Sequence, residues 1–497
     1  MGLRTGAEYL AALRDKRRII YDGKPIDDVT TEPGFRHTAH AVAQYYDFQN
    51  LPEVRDLVTY ETEDGDRAHL SFIEPRTQDD LRRRAQAFAA WAEVTCGHMG
   101  RSPDYMNACL MAVGAAKPHW GAKEAVWGQR AYDLYLDARR RDLCFTHTFV
   151  QAHTDRFTPA TEQKSTLRVV RETPEGPVVT GAKAVGTLAP YADANLCLGG
   201  LMPDVKEEHA HFVISFALPM EAKGTTWICR DVMDPERSHF NAPLSSKSDE
   251  MDTVVIFEDC LIPWDNIYIY QDVEMFHKQL QHMRFHDALG HHVLIRSIAK
   301  IRFLFGLAHM IAETSQVSQR TNMQERLGEF AMFLENLECL AIAAVEGAEQ
   351  DATNGLWYAN TKAMRTAIRL NADYYPQLIH HLMQIGGSGY VNMPQERTFD
   401  TLGESIEDYF SGASREAKEK VALYRMGWDM AGSAWGQRHE LYERFFFGEH
   451  TRHRLMAYEW ADKEAAMAMV RRMLTPPPSR FEPYPLPEHY RPSKPTL

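Results

Sequence analysis

Leu143-Cys144-Phe145-Thr146-His147-Thr148-Phe149 is where the chain changes texture. Upstream, from 77 to 143, the pattern is helical: Leu81, Ala85, Phe88, Ala89, Trp91 and Ala92 recur at broadly helical spacing. Thr77 with Asp80 three residues on is a capping-box start, and Ser102 before Pro103 places an N-cap residue ahead of a first-position proline. Downstream, from 144 to 270, the segments 167–171, 177–180, 212–217, 225–230 and 253–257 are short, β-branched and aromatic. Turn signals such as Pro174-Glu175-Gly176 separate them, the signature of antiparallel strands. Helical periodicity returns at 286–313, 324–350 and 361–385. Helices, a β block and helices again predict an α+β chain divided at 1–143, 144–272 and 273–474. Pro476-Pro477-Pro478 opens a proline-rich tail, 475–497, which cannot be helical.

The chain has 497 residues, 44% hydrophobic and 25% charged, enough for a large core in several domains. Its formal charge is −13, and the one dense basic run, Arg139-Arg140-Arg141, lies beside Asp137 and Asp142 as a solvated helix end. Nucleic acid is thereby excluded as a main partner, since phosphate contacts need clustered Lys and Arg. No apolar run approaches the ~18 residues of a membrane helix, and Met1 to Arg18 carries no secretory hydrophobic stretch. The seven cysteines are odd in number, widely spaced and without a C-x-x-C pair, as expected of free thiols in a cytoplasmic protein.

No P-loop, G-x-S-x-G or H-E-x-x-H is present. The pairs His291/His292, His209/His211 and His450/His453 lack acidic or cysteine company at ligand spacing, so no metal site is expected. Gly386-Gly387-Ser388-Gly389-Tyr390 follows a helix rather than a strand and fails as a dinucleotide fingerprint. It reads as a helix C-terminus with left-handed glycines or as a flavin-contacting turn. Arg101 and Tyr105 are four apart across a helix start, where a guanidinium beside the positive end of a helix suits an anion. His147 stands alone at the passage from helix to sheet.

Several segments in series add to this reading: Arg4-Thr5-Gly6 with Tyr9-Leu10, Asp27-Asp28-Val29-Thr30-Thr31, and Gly100-Arg101-Ser102-Pro103-Asp104-Tyr105. Thr146-His147-Thr148 with Asp155-Arg156, Gly181-Ala182-Lys183 with Gly186-Thr187, Phe257-Glu258-Asp259 with Ile262-Pro263-Trp264, and Gly306-Leu307-Ala308 continue the series. To about residue 470 the chain resembles the oxygenase component of the 4-hydroxyphenylacetate 3-hydroxylase family, two-component reduced-flavin monooxygenases on the acyl-CoA dehydrogenase fold. The resemblance implies a helical N-terminal domain, a middle antiparallel β-barrel domain and a C-terminal four-helix bundle that forms a homotetramer.

By the same resemblance, Arg101, Tyr105 and His147 hold the phenolic oxygen of the substrate, with His291 as a further substrate residue. FAD contacts fall on His147, Thr148, Phe149, His153, Thr154, Asp155, Arg156 and Thr187, and on Gly448-Glu449-His450-Thr451. Reduced FAD comes from a separate NAD(P)H-dependent reductase and dioxygen is the co-substrate; a flavin hydroperoxide hydroxylates the phenol ortho to its hydroxyl. Favouring phenolate at neutral pH against a free pKa of ~10 takes about 4 kcal/mol. Arg101, the helix start, Tyr105 and His147 are the groups to supply it, and an imidazole of ordinary pKa ~6.5 at His147 is placed to take the proton.

Loss of a halogen or nitro substituent is an alternative outcome of the same chemistry. An acyl-CoA dehydrogenase takes its base from a Glu ahead of a Gly-Thr, where this chain has Phe447 before Gly448. An iron–sulfur hydroxyacyl-CoA dehydratase needs close cysteine ligands, which Cys96 and Cys109 do not provide. A non-catalytic tetrameric scaffold leaves the Arg/Tyr/His set without a purpose.

Overall fold

The capping box at Thr77 closes in both directions: Thr77 Oγ1 accepts the Asp80 N–H at 3.1 Å, and the Asp80 carboxylate accepts the Thr77 N–H at 2.9 Å. The helix it starts, Gln78–Val94, buries Leu81, Arg84, Phe88 and Trp91. Ser102 is the N-cap of the next helix, Pro103–Ala115, with Pro103 at its start, although its hydroxyl makes no capping bond. These elements belong to a computed structural model that describes residues 3–152, 155, 157–199 and 202–474. The proline-rich tail at 475–497 lies outside the described residues.

All five predicted strand segments are strands, and the chain adds others that periodicity could not show. The expected barrel is instead two open sheets. One has seven strands in the order Lys24–Ile26, Ile19–Tyr21, Thr225–Cys229, Thr253–Leu261, Gly176–Ala184, Val150–Gln151, with Arg168–Thr173 also pairing to Gly176–Ala184. The other has four, in the order Ile267–Tyr270, Ile214–Pro219, Ala194–Cys197, Phe145–Thr148. Neither closes on itself among the described residues. Two pairings are parallel, Phe145–Thr148 on Ala194–Cys197 and Ile19–Tyr21 on Thr225–Cys229, so the sheets are not purely antiparallel either. The second of these brings a hairpin from the first twenty-odd residues into the middle sheet.

The long helices Phe285–Thr314, Thr321–Glu346 and Thr361–Gly386 pack on one another, and Ala417–Ala431 packs on the first and third. Phe285–Thr314 also packs against Gln78–Val94 and Pro103–Ala115. Every residue from Asp287 to Ile301 is buried, which makes it a central helix rather than an amphipathic one. Such a helix carries His291, His292, Arg296 and Lys300 into the interior, where each polar group needs a partner. Up to Phe447 the chain is one compact unit, and from Gly448 onward it is a second. Among the described residues no helix is long and apolar enough to cross a membrane.

Candidate active site

Arg101 precedes the first turn of Pro103–Ala115 and is buried. Its backbone N–H donates to Glu250 at 2.6 Å, and its guanidinium donates to the Tyr442 hydroxyl at 3.1 Å. A Cβ at Gly100 would lie 2.2 Å from that hydroxyl, so only glycine lets Tyr442 approach. The guanidinium carbon sits 4.4 Å from the centroid of the Tyr105 ring, a cation–π contact. Among the described residues no carboxylate is within ion-pair distance of the Arg101 side chain. Burial works against its charge, but Tyr105, Tyr442 and Glu250 outweigh burial and hold it firmly protonated.

His147 lies in the strand Phe145–Thr148, with its ring centroid 6.0 Å from that of Tyr105. Both ring nitrogens are buried and without a hydrogen-bond partner among the described residues. Burial, followed by Arg101, pushes its pKa down to about 3. The sequence expectation of an ordinary imidazole is thereby corrected: His147 is neutral at physiological pH and a weak base. Arg101 and Tyr105 do form one group, as their spacing suggested, and His147 lies with Tyr105, as the resemblance implied.

His291 is not part of that group. Its Nδ1 accepts from Arg84 at 3.3 Å and its ring meets the edge of Phe88. The neighbouring His292 is the residue beside Tyr105, at 5.5 Å between centroids. His292 Nε2 lies 3.1 Å from Asp104, both residues being buried. A carboxylate only accepts, so the Nε2 proton points to Asp104, while Nδ1 has no partner among the described residues. Sequence reasoning quoted both Asp104 and His292 but missed their pairing, because strand, turn and helix spacing say nothing of which of two adjacent buried histidines meets Asp104 and Tyr105.

The expected FAD residues are distributed more widely. Thr148 is fully buried with its hydroxyl accepting from Asn195, and Phe149 stacks on Phe285. Thr187 donates to Asp252 at 2.6 Å, so this hydroxyl is already engaged. The exposed Asp155 accepts from the Phe157 N–H and the Thr158 hydroxyl. His153, Thr154 and Arg156 lie outside the described residues. Gly448, Glu449, His450 and Thr451 belong to the second unit, where Glu449 caps the helix His450–Glu459 by accepting from the Arg452 N–H. The Gly386 turn ends its helix, with Gly387 in the positive-φ region at 51°, and borders a cleft of about 530 Å³.

Around Arg101 runs a network that no sequence motif marked. Arg438 clamps Asp252 at 2.8 and 2.9 Å and reaches Glu250 at 3.2 Å, while Arg230 holds Asp249 and Asp252. Burial disfavours the Asp252 carboxylate, yet Arg438 and Arg230 outweigh it and hold its pKa far below the usual range. Arg438 and Tyr442 are one helical turn apart on Ala434–Phe445, as are His439 and Glu443. That i, i+4 spacing was the available signal. Phe447, which stands where a dehydrogenase carboxylate was sought, stacks on Phe285.

Comparison with known proteins covers most of the chain. The descriptions "4-hydroxyphenylacetate 3-hydroxylase N terminal" and "C terminal" match residues 5–269 and 277–475. The 4-hydroxyphenylacetate 3-monooxygenase oxygenase component of Thermus thermophilus is 37% identical over 95% of this chain and 97% of that protein. The 4-nitrophenol 2-monooxygenase oxygenase component of a Rhodococcus species is 30% identical over 93% and 90%. A crystal structure of a 4-hydroxyphenylacetate 3-monooxygenase oxygenase component with FAD and 4-hydroxyphenylacetate superposes with a TM-score of 0.90, at 36% identity, over 95% of this chain and 98% of that one. The expected architecture therefore stands, with open sheets in place of the barrel. The chain belongs to the 4-hydroxyphenylacetate 3-hydroxylase family.

Proposed function

We propose that the chain is the oxygenase component of a two-component, FAD-dependent monooxygenase that hydroxylates a phenol ortho to its hydroxyl. The observation that carries this reading is Arg101: a buried guanidinium that, among the described residues, has no carboxylate on its side chain and lies on the Tyr105 ring, next to which the nitrogens of His147 have no partner among the described residues. A buried cation of this kind suits an anion such as a phenolate, which is the form of a phenol whose ortho carbon is nucleophilic. Relatives support FAD as the cofactor, since one is solved with FAD and a phenol bound. When bound, reduced FAD activates dioxygen for transfer of one oxygen atom to the ring.

The chain's own residues do the rest. Arg101 and the start of Pro103–Ala115 bind the phenolic oxygen, and the neutral His147 adds a hydrogen bond. His292, oriented by Asp104, accepts the phenolic proton at Nδ1. FAD is assigned to His147, Thr148, Phe149, Asp155 and Thr187, and the resemblance of the sequence adds His153, Thr154 and Arg156. The hydroxyls of Thr148 and Thr187 are engaged elsewhere, and their carbonyls accept from the Leu198 N–H and the Thr146 hydroxyl.

A separate NAD(P)H-dependent reductase supplies the reduced FAD, a role that the name "oxygenase component" of the relatives supports. The assembly is a homotetramer, for which the exposed Met332, Ile342 and Val391 offer apolar surface. Its location is the cytoplasm, in keeping with free thiols at all seven cysteines.

The test mixes the protein, anaerobically reduced FAD and a simple phenol with dioxygen and counts product. One catechol per FAD oxidised is the expected result; peroxide alone, whatever phenol is offered, overturns the reading. Asp104→Asn offers His292 Nε2 a donor or an acceptor alike and frees its tautomer. It is expected to lower kcat about 10- to 100-fold with little change in FAD affinity, measured by steady-state product formation and flavin fluorescence.

A further inference from the structure

Arg84 is another buried cation near the site, and nothing in the reading above uses it. It projects from Gln78–Val94, is fully buried, and has no carboxylate within ion-pair distance among the described residues. Among the described residues its one hydrogen bond runs from Nη2 to His291 Nδ1 at 3.3 Å, and its Nε and Nη1 have no partner. A guanidinium only donates, so His291 must accept at Nδ1, is neutral, and carries its proton on Nε2. The Phe88 ring links the three residues: the Arg84 guanidinium lies 5.7 Å from its centroid, and His291 and His292 meet it edge-on at 5.9 and 5.0 Å. His292 in turn abuts Tyr105.

A fully buried charge with no counter-ion destabilises the fold, and an apolar side chain of the same length would be neutral or better. Burial pulls the Arg84 pKa down to about 10, with Tyr358 and Asp80 opposing, so the group is still charged at neutral pH. We propose that Arg84 is a positioning residue of the phenol site: it locks the His291–His292 pair through His291 Nδ1, and its unneutralised charge favours the bound phenol as its anion. This rests on the function proposed above. The other charged and titratable groups about the site include Arg101, Asp104, Tyr105, His147, Glu250, His292 and Tyr442, with Cys109 and Arg296 beside Arg101. A unit charge ~10 Å away in a medium of effective dielectric ~20 moves an ionisation by about one pH unit.

4-Nitrophenol is a chromophore whose phenol and phenolate forms differ in absorbance, so its ionisation on the full-length protein is read directly, without turnover. With wild type its bound pKa is expected below its value in water. Arg84→Met should raise the bound pKa by about one unit, a tenfold loss of anion at fixed pH, with Tm unchanged or higher. Arg84→Lys should stay within about 0.3 unit of wild type. Arg84→Gln, which keeps a donor for His291 but no charge, must rise as Arg84→Met does, and it carries the test if the Met variant does not fold. Uncharged variants that titrate like wild type overturn the role of Arg84 alone. Wild type that ionises the bound phenol no more readily than water overturns the phenolate site itself.

Discussion

Arg101→Ala is expected to lower kcat/KM for phenol hydroxylation about 10²- to 10³-fold, the usual cost of removing a preorganised charged donor from a developing or bound anion. FAD affinity should change less than about threefold, because the side chain contacts Tyr105, Tyr442 and Phe446 rather than the residues assigned to the cofactor. The fold should survive: the bond to Glu250 comes from the Arg101 backbone N–H, which alanine retains. Reduced FAD should still be oxidised, with peroxide replacing hydroxylated product. Arg101→Lys keeps the charge and loses the planar fork, so it should recover part of the rate. The measurement is product and peroxide per FAD across a phenol series. Turnover within threefold of wild type would remove Arg101 from the site.

Periodicity and punctuation were sufficient for the skeleton. The Thr77/Asp80 box, the proline at 103 and the turn signals between strands each act within a few residues, so they are visible in a linear string. What assembles the sheets is not local. The parallel pairings of Phe145–Thr148 and Ile19–Tyr21 join segments tens to hundreds of residues apart, and strands buried on both faces lose the alternation that marks a surface strand. The site divides the same way. Arg101 and Tyr105 share one helix start and were paired by spacing, whereas Glu250, Arg438 and Tyr442 reach Arg101 only through the tertiary fold. The choice between His291 and His292 was beyond the sequence because a helix buried on all sides has no polar face to orient it.

Glu443→Gln is expected to destabilise the protein by about 3–5 kcal/mol at neutral pH, the range for removing one partner from a buried ion cluster. The Glu443 carboxylate accepts from Arg296 at 2.7 and 2.9 Å, from Lys300 at 2.9 Å and from Asn371 at 2.7 Å, with all of these side chains buried. Burial opposes its charge, but Arg296 and Lys300 outweigh burial and hold its pKa far below the carboxylate range. A carboxylate whose folded pKa is depressed stabilises the fold above its unfolded value of ~4.3, and that stability fades as pH falls towards the folded one. The deficit of Glu443→Gln, measured by urea unfolding, should therefore be full at pH 7 and shrink below pH ~4, where the unfolded wild type takes up a proton that the folded carboxylate does not. Adding Lys300→Met should recover part of it, because burial already draws Lys300 down to about 8 and the variant leaves this ammonium without its anion. Arg296 also lies over the Tyr442 and Phe446 rings, and Tyr442 accepts from Arg101. Loss of Glu443 should consequently lower hydroxylation as well as stability, and an Arg296 freed from its partner is the physical link between the two. A deficit below 1 kcal/mol with activity intact would mean that Arg296 and Lys300 find other partners once Glu443 is gone.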